Sequence, residues 1–353
     1  MHWVFVALLW HVLAYGRGEE EEHDRASNIT TMLHVVLAPE GTPCTQIAVL
    51  IYSILRKLTV GCQLHAHLFF GEKDSDYPSC IENHLCQHSS AVSIHVHQAQ
   101  LPFHLKGRLC SYRKELCSVG NFAVFVAADV LPVERFVYVD ADIVFQHDIR
   151  ELFTMNMGNL PVGAVEDCSQ RNNVYFHNKR LYSKHFRSRC VANRGLIVIN
   201  TRPWQALNMT NAIFHHISKS LEHPLWKFGV SQPPFLLVIY QTGYFRISPL
   251  WNVRGLGRDE FLGHSEFAAI LESGKKICSL DDHFIRQYAA IHSNHFIQPL
   301  AYCARALHYN GRKKPWHPLG GEASCTCGRK CIWKCVQTYE NLTRDLEGKC
   351  AGD

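Results

Sequence analysis

The tripeptide Asp140-Ala141-Asp142 joins the apolar run "RFVYV" to a second apolar run, "IVF". Side chains alternate across an extended chain, so acids at i and i+2 share one side, here at the carboxyl end of an expected strand. Two carboxylates held that close repel, and a divalent cation that takes oxygens from both relieves the repulsion. Far along the chain, "HYNGRKKPW" spaces His308, Gly311 and Lys314 three residues apart and closes on Pro315-Trp316. A neutral imidazole suits Mn2+ or a related ion as a third ligand. Gly311 has no Cβ and lets backbone N–H groups close on a phosphate, while Lys314 supplies a point charge. A metal, backbone donors and an ammonium would then converge on one diphosphate. As spacing alone, the same stretches also read as solvated turn acids and a solvated basic loop, and the pattern leaves both readings open.

The elements that must position these residues come from hydrophobic periodicity. "MLHVVLAP" reads as a buried strand, and Ile47, Leu50, Ile51, Ile54 and Leu58 recur at helical spacing. "LHAHLFFG" and "VSIHVHQA" read as strands, and "VGNFAVFVAADVLP" as a helix stopped by Pro132. "RFVYVDADIVF", "PVGAVED" and "RGLIVINT" add further strands. Strands alternating with helices indicate an α/β domain with a largely parallel sheet. In such sheets ligands bind at the carboxyl ends of the strands, where Asp140 and Asp142 fall.

The pair "YVDADIVFQHDIREL" and "LHYNGRKKPW" resembles glycosyltransferase family 8, whose C-terminal signature is His-x-x-Gly-x-x-Lys-Pro-Trp. "NRGLIVINTRPWQALNMT" resembles the family's Asn-x-Gly strand. "GVSQPPFLLVIYQ" and "ISPLWNVRGLG" resemble the branch of plant galacturonosyltransferases and animal family-8-domain proteins. The resemblance implies an α/β GT-A fold, the Rossmann-like nucleotide-diphospho-sugar transferase architecture, over residues 32–318. It implies a UDP-sugar donor, Mn2+, a glycan or glycoprotein acceptor, and transfer of a hexosyl, uronosyl or pentosyl group with retention. By position, Asp140, Asp142 and His308 would hold the metal, and Gly311 and Lys314 the diphosphate. Ala38 and Glu40 would contact uracil, Asn193 the donor sugar, and Asp167 the donor sugar or acceptor. Retention could proceed by front-face attack, with a UDP oxygen assisting the acceptor hydroxyl.

Three positions depart from the family pattern. Val124 stands where members usually carry an arginine, Arg194 where they carry a small residue, and Ser231 where an acidic residue often precedes Gln232. Val124 removes a cation expected near the donor; Arg194 could supply one, or pair with a uronic carboxylate. The alternative these residues support is a sugar-nucleotide- or glycan-binding protein of the same fold without catalysis.

The remaining features bound the setting. The chain has 353 residues, 47% hydrophobic and 19% charged, with a formal charge of +5, which describes a folded protein without the basic blocks of nucleic-acid-binding tails. Residues 1–18 read as a signal peptide cleaved near Ala14 to Gly16, or as an uncleaved anchor that would give a membrane-attached form, and residues 19–31 as an acidic linker. Sequons at Asn28, Asn208 and Asn341, with 15 cysteines, agree with the secretory pathway, in the lumen of the Golgi or endoplasmic reticulum, or with secretion. An odd cysteine count leaves at least one thiol free or paired with another chain. Residues 319–353, with Cys325, Cys327, Cys331, Cys335 and Cys350, read as an appended tail stapled by disulfides in preference to zinc, or as a secreted adaptor module. Cys168 and Cys190 flank the expected donor region and read as disulfide-bonded cysteines ahead of a catalytic thiol. His65/His67 and His95/His97 are i, i+2 pairs that each share a strand face, read as satisfied or exposed histidines ahead of a second metal site. Trp251 reads as loop packing ahead of sugar stacking.

Overall fold

The apolar run after the acidic segment forms the first strand, β1 (Thr31–Leu37), in a computed structural model of the chain. The structure describes residues 31–39, 41–71, 76–102, 105, 118–256, 278–281, 284–285, 298–311, 314–316 and 338–347. The sequence-expected signal segment, the linker up to Thr30, Glu40 and the tail cysteines lie outside the described residues.

β1 pairs in parallel with β2 (Cys62–Phe70) on one side and β4 (Arg135–Val139) on the other, and β2 carries β3 (Val92–Gln98) at the edge. The far half is built from β6 (Val162–Arg171), β7 (Cys190–Asn200) and β8 (Phe245–Ile247), giving one sheet in the order β3-β2-β1-β4-β7-β6-β8. β7 runs antiparallel to both β4 and β6. The sheet is therefore largely parallel, as expected, with β6 and β8 parallel to each other and β7 the one reversed strand. An uninterrupted apolar run such as "RGLIVINT" looks the same read in either direction, so periodicity carries no strand polarity. A second sheet, ordered β5-β10-β9, joins β5 (Ile143–Phe145), β9 (Val253–Arg254) and β10 (Ala306–His308).

Alternation along the strands divides the interior into two cores. Leu33, Val35 and Leu37 of β1, Val137 and Val139 of β4, and Leu196 and Val198 of β7 face α1 (Cys44–Leu55) and the small sheet. Val36, Phe136, Tyr138, Ile197 and Ile199 face the opposite side. There they pack with α3 (Ala123–Val130), α6 (Thr201–Ala206), α7 (Met209–Glu222) and α8 (Gln232–Thr242). The shorter helices α2 (Tyr77–His84), α4 (Arg150–Thr154) and α5 (Lys184–Ser188) lie outside this layer. The start of α8 follows from its sequence: Pro233 and Pro234 occupy first-turn positions where a missing N–H costs nothing, and Gly243 (φ +85°) ends the helix.

Disulfides join Cys44 to Cys80, Cys168 to Cys190 and Cys278 to Cys303. The described part of the tail is a helix, α9 (Thr338–Glu347), not an isolated appendage. Its Tyr339, Leu342 and Leu346 are buried in the core that contains α1. Arg56, following α1, pairs with Asp345 at 2.9 Å.

Candidate metal and donor site

The turn between β4 and β5 carries both acids. Asp140 N–H donates to the Gly195 carbonyl at 2.7 Å, tying β4 to β7, and Ile143 N–H donates back to the Asp140 carbonyl at 3.2 Å. His308 ends β10, where antiparallel pairing with β5 sets it opposite Ile143. Tyr309 N–H then donates to the Asp142 carbonyl at 2.8 Å. Two short strands thus deliver the distant imidazole to the acids. Its Nε2 lies 3.1 Å from Asp142 Oδ1 and 3.9 Å from Asp140 Oδ2. One ligand atom from each residue falls within 4.8 Å of the others.

A chain of hydrogen bonds sets the tautomer of His308. The backbone N–H of Gly195 donates to Asn193 Oδ1 at 2.9 Å, which makes that atom the amide oxygen. Asn252 must then donate its Nδ2 to the same oxygen, at 3.0 Å, leaving Asn252 Oδ1 to face His308 Nδ1 at 2.8 Å. Oδ1 only accepts, so Nδ1 carries a proton and Nε2 is the nitrogen turned toward the two carboxylates. A proton on Nε2, or a cation in its place, reconciles that nitrogen with the two anionic oxygens.

Gly195 walls this arrangement closely. A Cβ there would stand 2.4 Å from His308 Cε1 and 2.9 Å from both Asp140 Oδ2 and Asn193 Oδ1. Lys314 donates to Asp142 Oδ2, and to the Tyr309 carbonyl at 3.0 Å. Burial alone would raise the Asp142 carboxyl, but the charges of His308 and Lys314 outweigh it and hold Asp142 well below the usual carboxylate range. Two carboxylate oxygens, one imidazole nitrogen turned toward them and a close-packed glycine are a donor set that fits Mn2+ or a related divalent ion.

The other residues singled out from the sequence lie at varied distances from this cluster. Ala38 follows the last residue of β1, and Leu37 pairs with Val139, so Ala38 sits beside Asp140 at the strand ends. Gly311 has φ +134°, a conformation that disfavours side chains. Asn193 spends its amide oxygen on Gly195 and Asn252. Asp167 is 1% exposed and forms an ion pair with Arg254 at 2.7 Å. Arg254 in turn pairs in register with His308 across β9 and β10.

Val124 is fully buried in the core beneath α3. Arg194 is also buried, its guanidinium 5.3 Å from the Tyr138 ring centre, with Nε and Nη1 lacking hydrogen-bond partners. Gln232, at the start of α8, grips β7: it accepts from Arg194 N–H at 3.1 Å and donates to the Ala192 carbonyl at 2.7 Å.

Asn252 and Arg254 carry no signal in the sequence, whereas Gly195 is the glycine of the Asn-x-Gly stretch. The "PLWNVRGLG" stretch drew attention to Trp251, which is fully buried against Phe145 as packing. Its neighbour Asn252 has the more direct link to the site.

The protein-family model described as "Glycosyl transferase family 8" matches residues 44–320. "Probable galacturonosyltransferase-like 5" of Arabidopsis thaliana is 32% identical over 240 residues, covering 65% of this chain and 56% of that protein. "Glycosyltransferase 8 domain-containing protein 2" of Bos taurus is 27% identical over 241 residues, covering 61% and 59%. The chain spans about half the length of the curated relatives it matches, 46% of one and 56% of another. Among solved structures, galactosyltransferase LgtC in complex with donor and acceptor sugar analogs aligns with a TM-score of 0.57 at 13% identity, covering 89% of this chain and 96% of LgtC. The apo bifunctional glycosyltransferase WbbM gives 0.57 at 14% identity, covering 91% and 52%. These neighbours share the GT-A fold.

Proposed function

The chain belongs to glycosyl transferase family 8, and on that footing we propose that it is a metal-assisted glycosyltransferase. It would move a hexosyl, uronosyl or pentosyl group, with retention, from a UDP-sugar to a glycan or glycoprotein acceptor. The observation that carries this reading is the meeting of Asp140, Asp142 and the Nδ1-protonated His308. Breaking the bond between the anomeric carbon and UDP leaves a diphosphate with two or more negative charges, and stabilising that charge is the main demand on the site. Asp140, Asp142 and His308 would hold a divalent ion, which when bound supplies Lewis-acid stabilisation of the departing diphosphate. Lys314, which lies against Asp142, and the backbone at Gly311 would add positive potential toward the diphosphate. Ala38 borders the uracil position, with Glu40 assigned there from the sequence. Asn193 and Asp167 are assigned to the sugar side, their side chains held by Gly195, Asn252 and Arg254. The signal-like segment and disulfides favour work in the secretory lumen; among the described residues no helix is long and apolar enough to cross a membrane.

Arg194 narrows the donor. A buried guanidinium with two unpartnered nitrogens next to the Asn193-Gly195 stretch is suited to the planar carboxylate of a uronosyl group. The test is UDP release with Mn2+ and a panel of UDP-glucose, UDP-galactose, UDP-xylose, UDP-glucuronate and UDP-galacturonate, with glycan acceptors offered. Turnover abolished by His308→Ala supports the enzyme, and a uronate preference erased by Arg194→Ala supports the donor assignment. Nucleotide binding without turnover on every donor and acceptor would instead support a binding protein. Equal competition from neutral sugars would remove the uronate.

A further inference from the structure

β1, β2 and β3 carry five histidines, His34, His65, His67, His95 and His97, on the sheet face opposite α1. Strand register sets His34 beside His65 and His67 beside His95, so the pairs visible in the sequence interlock. The rings touch through their nitrogens: His34 Nδ1 to His67 Nε2 at 3.0 Å, His67 Nδ1 to His97 Nε2 at 2.9 Å, and His65 Nδ1 to His95 Nε2 at 3.0 Å. His65 and His95 lie nearly in parallel planes, 10° apart. Sheet packing rarely gathers so many imidazoles, because neutral rings bridged nitrogen to nitrogen need complementary tautomers along the whole row. That need is not met at every ring: His65 Nε2 is buried without a hydrogen-bond partner. One tautomer of His65 therefore buries a bare N–H and the other a bare lone pair.

We propose that this histidine ladder is a second metal site, which takes a borderline transition ion of the Zn2+ or Cu2+ class between His65 Nδ1 and His95 Nε2. Imidazole nitrogens are preferred ligands of that class. Two nitrogens about 2.0–2.1 Å from one tetrahedral ion stand about 3.3 Å apart, so the rings need open only a few tenths of an ångström. Both rings are partly exposed, which leaves the remaining positions to water. Binding needs no proton release: the proton bridging the two rings moves to the far nitrogen of the ring that carried it. Burial, then repulsion from neighbouring rings, pulls His34 down to about 4 and His67 to about 3, and the same causes lower His65. The donor set contains no carboxylate, unlike the Asp140–Asp142–His308 cluster, so the two sites would sort ions: oxygen-preferring Mn2+ to the cluster, Zn2+ or Cu2+ to the ladder.

The experiment titrates Zn2+ into the full chain in the His308→Ala background against a chromophoric chelator, and records Cu2+ spectra for nitrogen hyperfine structure. His65→Asn and His95→Gln should each weaken the non-Mn2+ site at least tenfold, the double variant should be no weaker than the singles, and His216→Gln should change nothing. The thermal melt of each metal-free variant separates lost binding from lost fold, and His95→Gln, on the partly exposed edge strand, is the variant expected to keep its fold. Unchanged Zn2+ affinity in a folded His95→Gln protein, or Cu2+ spectra without nitrogen coupling, would overturn the proposal.

Discussion

Replacing Gly195 by alanine puts one methyl group into the tightest part of the candidate metal site. The added Cβ would lie 2.4 Å from His308 Cε1, where carbon atoms normally stop at about 3.5–4 Å. The ring or the β7 backbone must therefore yield by roughly 1 Å. The ring has little room to retreat, since His308 is 2% exposed and hydrogen-bonded to Asn252 on its other nitrogen. Nor does Asp140 offer slack, because its Oδ2 would be 2.9 Å from the same methyl and its N–H is bonded to the Gly195 carbonyl. Overpacking of this kind costs about 1–3 kcal/mol. Metal ligation tolerates errors of only about 0.2 Å, so a shift of that size falls mainly on the ion. We expect Gly195→Ala to lower Mn2+ affinity ~100-fold while the melting temperature falls by only a few degrees. The assay is free-Mn2+ spin resonance during titration, alongside a thermal melt. An affinity within twofold of the parent in a folded variant would refute the reasoning.

Three further outcomes follow from the same geometry. Asn252→Leu removes the acceptor for His308 Nδ1–H and should weaken Mn2+ binding about 10–100-fold, with the imidazole 15N shifts showing loss of a single tautomer; Asn252→Asp, which keeps an acceptor, should retain the tautomer. Arg254→Met removes the buried cation that pairs with Asp167, which costs about 3–5 kcal/mol in urea denaturation, and adding Asp167→Leu should recover most of it. The histidine ladder should make the protein acid-labile. His34 and His67 have folded values near 4 and 3 against about 6.5 unfolded, so below pH 6.5 the unfolded chain binds protons that the folded one refuses. Stability should hold above that pH and fall on the order of 1 kcal/mol per ring by pH 5, discounting for partial exposure, as measured by denaturant midpoints across pH; a flat profile from 7 to 4.5 would contradict it.

How much of this was legible in the sequence depends on how local each signal is. Asp140 and Asp142 are adjacent in the chain and follow an apolar strand, so period-two alternation suffices to place them together. His308, Gly311 and Lys314 sit within one short stretch, and their chemistry is readable there. The resemblance to the family, not spacing, joined the two stretches; physically, the β5–β10 pairing brings them together. Asn252 and Arg254 were hidden because their partners, His308 and Asp167, are remote in sequence, and an asparagine in a loop carries no periodic signal. The two histidine pairs were visible, yet the addition of His34 depends on cross-strand register, which a single strand does not encode. Val124 illustrates the opposite case: a missing arginine reads as a lost cation, whereas the structure shows a core position that a valine fills.

The most direct measurement is pulsed electron spin resonance of Mn2+ bound to the protein with UDP present. A single coupled 14N from one imidazole, lost in His308→Gln, is the result expected if the three side chains hold the ion. No nitrogen coupling, or a coupling that survives His308→Gln, would contradict the account.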